Sequence, residues 1–286
     1  MKAPFWTREL EIGRCPCRSG LRAKLCCSRP GRVWKKSPTP ILALPASGFG
    51  HPRCYFRSYL SCSQKLSREH IVSHSVLKAI ADANARISGA AWQQPGIENI
   101  ISTQSLASKV LCEAHNNILS PLDNVAGAFV KMLLRLDGQL HGQPPFERFQ
   151  IVSGFDVERW MLKVYCGTMA AGIVRDHANA RPTEDADQTK LNLLLGEPNW
   201  PPGWGLYANA RFGDLFQITR EVKFALFADA ETNQPAGLGM ILAGFRFFLS
   251  LTHRFLDATA ADGAIYHLEA INAGPSGKSD ILAMTF

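Results

Sequence analysis

Four thiols fall within thirteen residues near the start of the chain, as Cys15-Pro16-Cys17 and then Cys26-Cys27. A segment this short cannot bury a core of its own, so its shape has to come from a cross-link. The chain carries eight cysteines in all. Met1 to Leu10 has no apolar run of secretory type, and Ile41 to Pro45 is too short to be one. We therefore expect a cytoplasmic protein in which thiols ligate metal rather than form disulfides. Two ligands from a tight turn and two from a return segment can surround Zn²⁺ tetrahedrally at about 2.3 Å. Ser19-Gly20 lies where the chain must reverse, and glycine tolerates the backbone angles required.

The run Cys-Pro-Cys-Arg-Ser-Gly, followed by Leu21-Arg22-Ala23-Lys24-Leu25 and the Cys26-Cys27 pair, resembles the SEC-C motif, a short zinc knuckle. The family has glycine where Arg18 stands and tyrosine where Ala23 stands, while all four ligand positions match. The resemblance implies a structural zinc on Cys15, Cys17, Cys26 and Cys27. It also implies a surface that docks onto a protein or a nucleic acid, presenting Arg14, Arg18, Arg22, Lys24 and Arg29. The knuckle is expected to occupy residues 1–30. The Pro-, Gly- and Ser-rich residues 31–52 read as a linker.

Charge is unevenly placed. Residues 1–78 hold fifteen Lys and Arg against three Asp and Glu, a balance of +12, and the remainder holds sixteen against twenty-one, a balance of −5. A basic first quarter suits a polyanionic partner, and nucleic acid is the one we expect. The most apolar run, Ala236 to Leu251, contains three glycines and Arg246 and is too short and interrupted for a membrane span.

The stretch from Leu66 to Asp123 opens with Ser67-Arg68-Glu69-His70-Ile71 and closes with Cys112-Glu113-Ala114-His115-Asn116-Asn117. An acidic residue beside a histidine, ahead of a Cys-x-x-His-Asn cluster, resembles the ββα-metal core of HNH endonucleases. The resemblance implies a core over residues 53–140 in which His70 deprotonates water. Glu69 and Asn116 would hold a divalent cation such as Mg²⁺. The residue types suit those roles, because a neutral imidazole accepts a proton near pH 7 and a carboxylate is a hard oxygen donor. His70 and His74, four residues apart, could instead bind metal on a helix face, but the metalloprotease signature is absent. Within this core we expect a helix over 75–86 and a returning strand over 99–110, and then a helix beginning near Cys112. Ser120, Pro121 and Asp123 read as the N-terminus of a further helix.

Departures from that pattern are specific. The family's middle asparagine is missing from Ser105-Leu106-Ala107-Ser108. Many members carry a second zinc on two Cys-x-x-Cys pairs, but here Arg57 stands where the partner of Cys54 would be, and arginine cannot ligate. Cys62 could substitute, giving a second site of Cys54, Cys62, Cys112 and His115.

Residues 141–286 read as an α+β region of helices packed on a small antiparallel sheet. Leu122, Val125, Ala126, Phe129, Leu133 and Leu136 form one helical stripe. Asp156 is expected to cap a helix whose face is Val157, Trp160, Met161, Val164 and Thr168. Glu184 to Asp187 reads as an acidic loop, and Trp200, Trp204 and Tyr207 as a Pro-Gly loop. The alternation of Val222, Phe224 and Leu226, the turn at Thr232 to Pro235, and the runs Phe245–Leu251 and Ala264–Ile271 read as strands and their connection. Gly237, Gly239 and Gly244 read as strand glycines, and His177, His253 and His267 as isolated histidines.

Three functions fit this reading. The first is a metal-dependent HNH-type endonuclease hydrolysing phosphodiester bonds. The second is a non-catalytic zinc-binding adaptor on the same scaffold. The third is a basic nucleic-acid binder without chemistry.

Overall fold

The computed structural model describes residues 13–30, 33–80, 84–87, 99–102, 106–140, 149–173, 186–209, 219, 222–229, 231–232, 234–253, 263–273 and 280–286. His177, Ser105, Asn233, residues 184–185 and the first ten residues, all invoked above, lie outside them. The described elements make a mixed α+β chain with several small sheets.

The knuckle ends in a short hairpin, β1 (Ser28–Arg29) with β2 (Val33–Trp34). Trp34 is buried and, with Cys15, Ala23 and Cys27, packs against Phe149, Ile151, Ile281 and Ala283 of a sheet far along the chain. The following segment, read as a linker, runs without regular secondary structure but is tied down. Lys36 N–H donates to Thr285 Oγ1 at 3.0 Å, and the Thr39 backbone and hydroxyl both donate to the Asp156 carboxylate.

β3 (Leu66–His70) is followed by α1 (His74–Ile80), then by the hairpin of β4 (Asn84–Ile87) and β5 (Asn99–Ser102). β6 (Ala107–Cys112) returns antiparallel to β3, pairing Leu66 with Cys112 and His70 with Ala107. Of the helix expected over 75–86, the described part is helical over His74–Ile80 and a strand from Asn84, and the strand expected over 99–110 is two strands with different partners. α2 (Glu113–Leu140) starts directly after Cys112 and passes through Pro121 without a break, so Asp123 lies inside it rather than at a new helix start. Proline cannot donate to the carbonyl four residues back. Ser120 Oγ takes that role, donating to Asn117 O at 2.9 Å. α1 crosses α2 at Gly127, where an added Cβ would lie 2.7 Å from Ser75 Cβ.

β7 (Phe149–Ser153) leads into α3 (Gly154–Ala171). Ser153, not Asp156, is the N-cap, accepting the Asp156 N–H, and Gly172 closes the helix at φ +60°. The expected apolar face of α3 is buried, but so are Asp156, Glu158, Arg159 and Lys163. Asp187 caps α4 (Gln188–Leu195), where an acidic loop was expected.

β8 (Gly205–Asn209), β9 (Val222–Ala228), β10 (Pro235–Leu242), β11 (Phe245–Ser250) and β12 (Ala264–Tyr266) form an antiparallel sheet in the order β12-β8-β11-β10-β9. Tyr207 is therefore a strand residue. A second sheet, β13 (Ala270–Ala273), β14 (Asp280–Thr285) and β7, is mixed rather than wholly antiparallel, because β14 runs parallel to β7. The run 264–271 is split between the two sheets at His267, whose φ is +48°. Gly237 lies in a strand as expected, where a Cβ would strike the Phe227 ring and Leu249 O. Among the described residues, no helix is long and apolar enough to cross a membrane.

His267 is not isolated. Its Nε2 lies 3.0 Å from Glu158 Oε1, and its ring is stacked between Tyr266 and Phe286. Glu158 is fully buried and also accepts the Leu206 N–H at 2.7 Å. Burial raises its carboxyl above the ordinary range, and the His267 contact only partly opposes this. A raised carboxyl ionises in the unfolded chain first, so stability falls as pH climbs above the unfolded value of about 4.3. Urea titrations between pH 4 and 6 should show wild type losing stability relative to Glu158→Gln as pH rises. A gain over that range would contradict the assignment.

Candidate metal centres and a buried ion bridge

The chain's first metal-competent cluster is Cys15, Cys17, Cys26 and Cys27, whose sulfur atoms all lie within 4.8 Å of one another. Cys15 N–H donates to Leu21 O at 2.7 Å, which closes the first turn, and a 3₁₀ turn at Ala23–Leu25 swings Cys26 and Cys27 back. Arg18 adopts φ +62° and Gly20 φ +79°, so a left-handed residue is needed at Arg18, where the knuckle family has glycine. Sulfur pairs are as close as 3.4 Å, between Cys17 and Cys26, and 3.6 Å, between Cys26 and Cys27. Tetrahedral zinc with 2.3 Å bonds separates its ligands by about 3.8 Å. The thiols share protons: hydrogen bonding with Cys15 and then Cys27 pushes Cys17 down, while bonding with Cys17 raises Cys15 to about 11. A dication replaces those shared protons when it binds.

The second cluster is Cys54, Cys62, Cys112 and His115, again within 4.8 Å and with every member buried. Cys54 and Cys62 come from the irregular segment before β3, Cys112 ends β6, and His115 lies in the first turn of α2. His115 Nδ1 faces the three sulfurs at 3.6, 3.7 and 3.1 Å, in the order Cys54, Cys62 and Cys112. Its Nε2 lies 3.1 Å from Ser61 Oγ, and its ring stacks on Phe56 at 4.7 Å. Assigning the proton to Nε2 leaves the Nδ1 lone pair for a metal, oriented by an outer hydrogen bond. Burial lowers this imidazole to about 4, so it is neutral at pH 7. Burial raises the Cys54 and Cys62 thiols. It also raises Cys112, but N–H donation from His115 and Ser63 outweighs it and lowers that thiol overall. Three sulfurs and one nitrogen are a zinc donor set, so both clusters fit zinc. Cys62 belongs to this cluster, as expected from its chemistry, and Arg57 is exposed outside it.

The residues expected to hold a catalytic cation have other partners. Glu69 is buried, with Oε1 2.5 Å from the Lys163 ammonium of α3. The same ammonium lies 2.6 Å from Asp123 Oδ2 on α2. Ser73 Oγ donates to Asp123 Oδ1 and accepts from Trp160 Nε1 at 2.7 Å, which extends the network. Asn116 Nδ2 donates to Ser67 Oγ at 2.9 Å, and its Oδ1 is buried without a partner. His70 also has a buried Nε2 without a partner among the described residues, and its ring lies 5.1 Å from that of His74. Burial and then His74 hold it below the ordinary histidine range. Among the described residues, the two cysteine clusters are the groups of three or more His, Cys, Asp or Glu close enough to share an ion. Sequence reading had no signal for Lys163, which meets Glu69 only through tertiary packing.

Elemental analysis should find two zinc ions per chain. Cys26→Ser should lower this to one and leave the thermal transition of the body nearly unchanged. Cys112→Ser should also remove one zinc, but lower the melting temperature of the whole chain. Equal melting temperatures for the two variants would contradict the assignment of the buried site as the structural staple. No family model, curated protein or solved structure matches this chain.

Proposed function

We propose that the chain is a zinc-stapled nucleic-acid-binding protein that uses an HNH-like strand–strand–helix unit as a scaffold and does not cut. The Lys163 ammonium carries this reading, because it is paired with Glu69, one of the two residues, with Asn116, that would have to hold a dication, and is held there by Asp123 as well. A divalent ion could reach Glu69 only by expelling a buried cation already bound on both sides.

The partner follows from charge. Residues 13–80 contain one acidic residue, Glu69, and it is buried. Arg14, Arg18, Arg22, Lys24, Arg29, Arg53, Arg57, Lys65 and Arg68 are all exposed. Such a surface suits phosphates and carries little information about base sequence. The knuckle surface belongs to this basic region and remains available to an acidic protein partner.

The endonuclease reading has its own support. His70 Nε2 and Asn116 Oδ1 are buried polar atoms without partners, and both belong to residues that reading makes functional. In it, His70 would activate water, and Glu69 and Asn116 would bind Mg²⁺.

Plasmid nicking with Mg²⁺ or Mn²⁺, run beside electrophoretic mobility shifts, separates the two. We expect no cleavage above that of His70→Ala, and binding that weakens about 10³-fold between 50 and 200 mM salt if six phosphates are contacted. Metal-dependent nicking lost in His70→Ala would establish the endonuclease instead.

A further inference from the structure

Arg159 on α3 is 3% exposed, yet its guanidinium is only partly satisfied. Nη2 donates to Thr39 O at 2.6 Å and to Asp156 Oδ1. Among the described residues Nε is buried without a partner, and both hydrogen bonds of the guanidinium come from Nη2. Of this permanent cation's three nitrogens, one thus makes all of the side chain's hydrogen bonds among the described residues, and Nη1 faces Gly196.

The guanidinium lines a cleft of about 250 Å³ between the tied-down segment at Pro38–Ile41 and the turn after α4. Its apolar walls include Phe155, Ile41, Leu195 and Trp200. Gly196 closes α4 at φ +104°, and a Cβ there would lie 3.1 Å from Arg159 Nη1. The absent side chain keeps that nitrogen reachable. Asp156 does not use up the cation, because its carboxylate also accepts the Thr39 N–H and hydroxyl and lies in the first turn of α3, where the helix favours negative charge. Glu197, on the rim, is turned toward Asn199, accepting its N–H at 3.3 Å and its side-chain amide at 3.0 Å.

An apolar cleft around an under-satisfied buried guanidinium calls for a ligand with one anionic oxygen group and an apolar body. We propose that this cleft binds a small aryl carboxylate. The carboxylate accepts from Arg159 Nη1, and the ring lies against Trp200 and Phe155. The cavity is at the small end for ligand sites, which limits the ligand to about ten non-hydrogen atoms. The proposal is independent of both metal centres and of the Lys163 bridge.

Phenylacetate and phenylacetamide share a shape and differ in charge, so calorimetric titration of the full-length zinc-loaded protein with each tests the site without a variant. Phenylacetate should bind saturably, and the amide should bind at least tenfold more weakly. Arg159→Gln should abolish the difference, with a circular dichroism melt to check that the Thr39 anchor still holds. Trp200→Ala, which leaves Arg159 in place, should weaken phenylacetate severalfold. No binding of phenylacetate at about 10 mM, or equal binding of the two compounds, would overturn the proposal.

Discussion

A lysine ammonium 4% exposed has to be neutralised, and in this fold that requirement joins three elements at one point. Lys163 comes from α3, Glu69 from β3 and Asp123 from α2. Removing one member of such a buried set leaves an uncompensated charge at a cost of about 3–5 kcal/mol. The bridge therefore fixes where α3 lies against the hairpin and helix that precede it. The same helix reaches two other parts of the chain through buried polar groups. Glu158 meets β8 and His267, while Asp156 and Arg159 hold the segment at Thr39. The polar residues of α3 are thus as much a part of the architecture as its apolar face.

The β3–β6 hairpin has two chemically different ends. Its register pairs Leu66 with Cys112 at one end, where three thiols and His115 converge, and His70 with Ala107 at the other. Between them, Ser67 meets Asn116 and Glu69 meets Lys163. Zinc at the first end would hold the segment before β3, the end of β6 and the start of α2 together, and the ion bridge joins β3, α2 and α3 toward the second. An arrangement stapled twice needs no further cation to hold its shape, which is compatible with a binding role.

The cysteine clusters were the most legible part of the sequence, because few side chains bind zinc and their candidates can be enumerated, whereas Glu69 and Asn116, read as cation ligands, have other partners. All eight predicted zinc ligands fall into two clusters, including Cys62 in place of the unsuitable Arg57. Apolar periodicity located the apolar faces of α2 and α3 and the strands β9 and β11, whereas β8 lay in a stretch read as a Pro-Gly loop. Local signals failed where a side chain altered the backbone rule. Pro121 suggested a helix start, but the Ser120 hydroxyl takes the carbonyl that proline leaves without its usual donor. The left-handed backbone at His267 divides an apparently continuous strand, and histidine gives no warning of it. Lys163 was illegible for a different reason, since its carboxylates come from distant parts of the chain and only the packed fold unites them.

Whether the ammonium or a dication belongs at Glu69 is the question on which the proposed function turns. Lysine side-chain NMR of the zinc-loaded protein, recorded during a Mn²⁺ titration, reports on that nitrogen directly, because a paramagnetic ion within bonding reach of the carboxylates would broaden its signal away. The account predicts a protected Lys163 ammonium resonance that keeps its intensity through millimolar Mn²⁺. Loss of that signal at substoichiometric or equimolar Mn²⁺, with the other buried lysine, Lys190, unaffected, would contradict it and restore the cation site of an endonuclease.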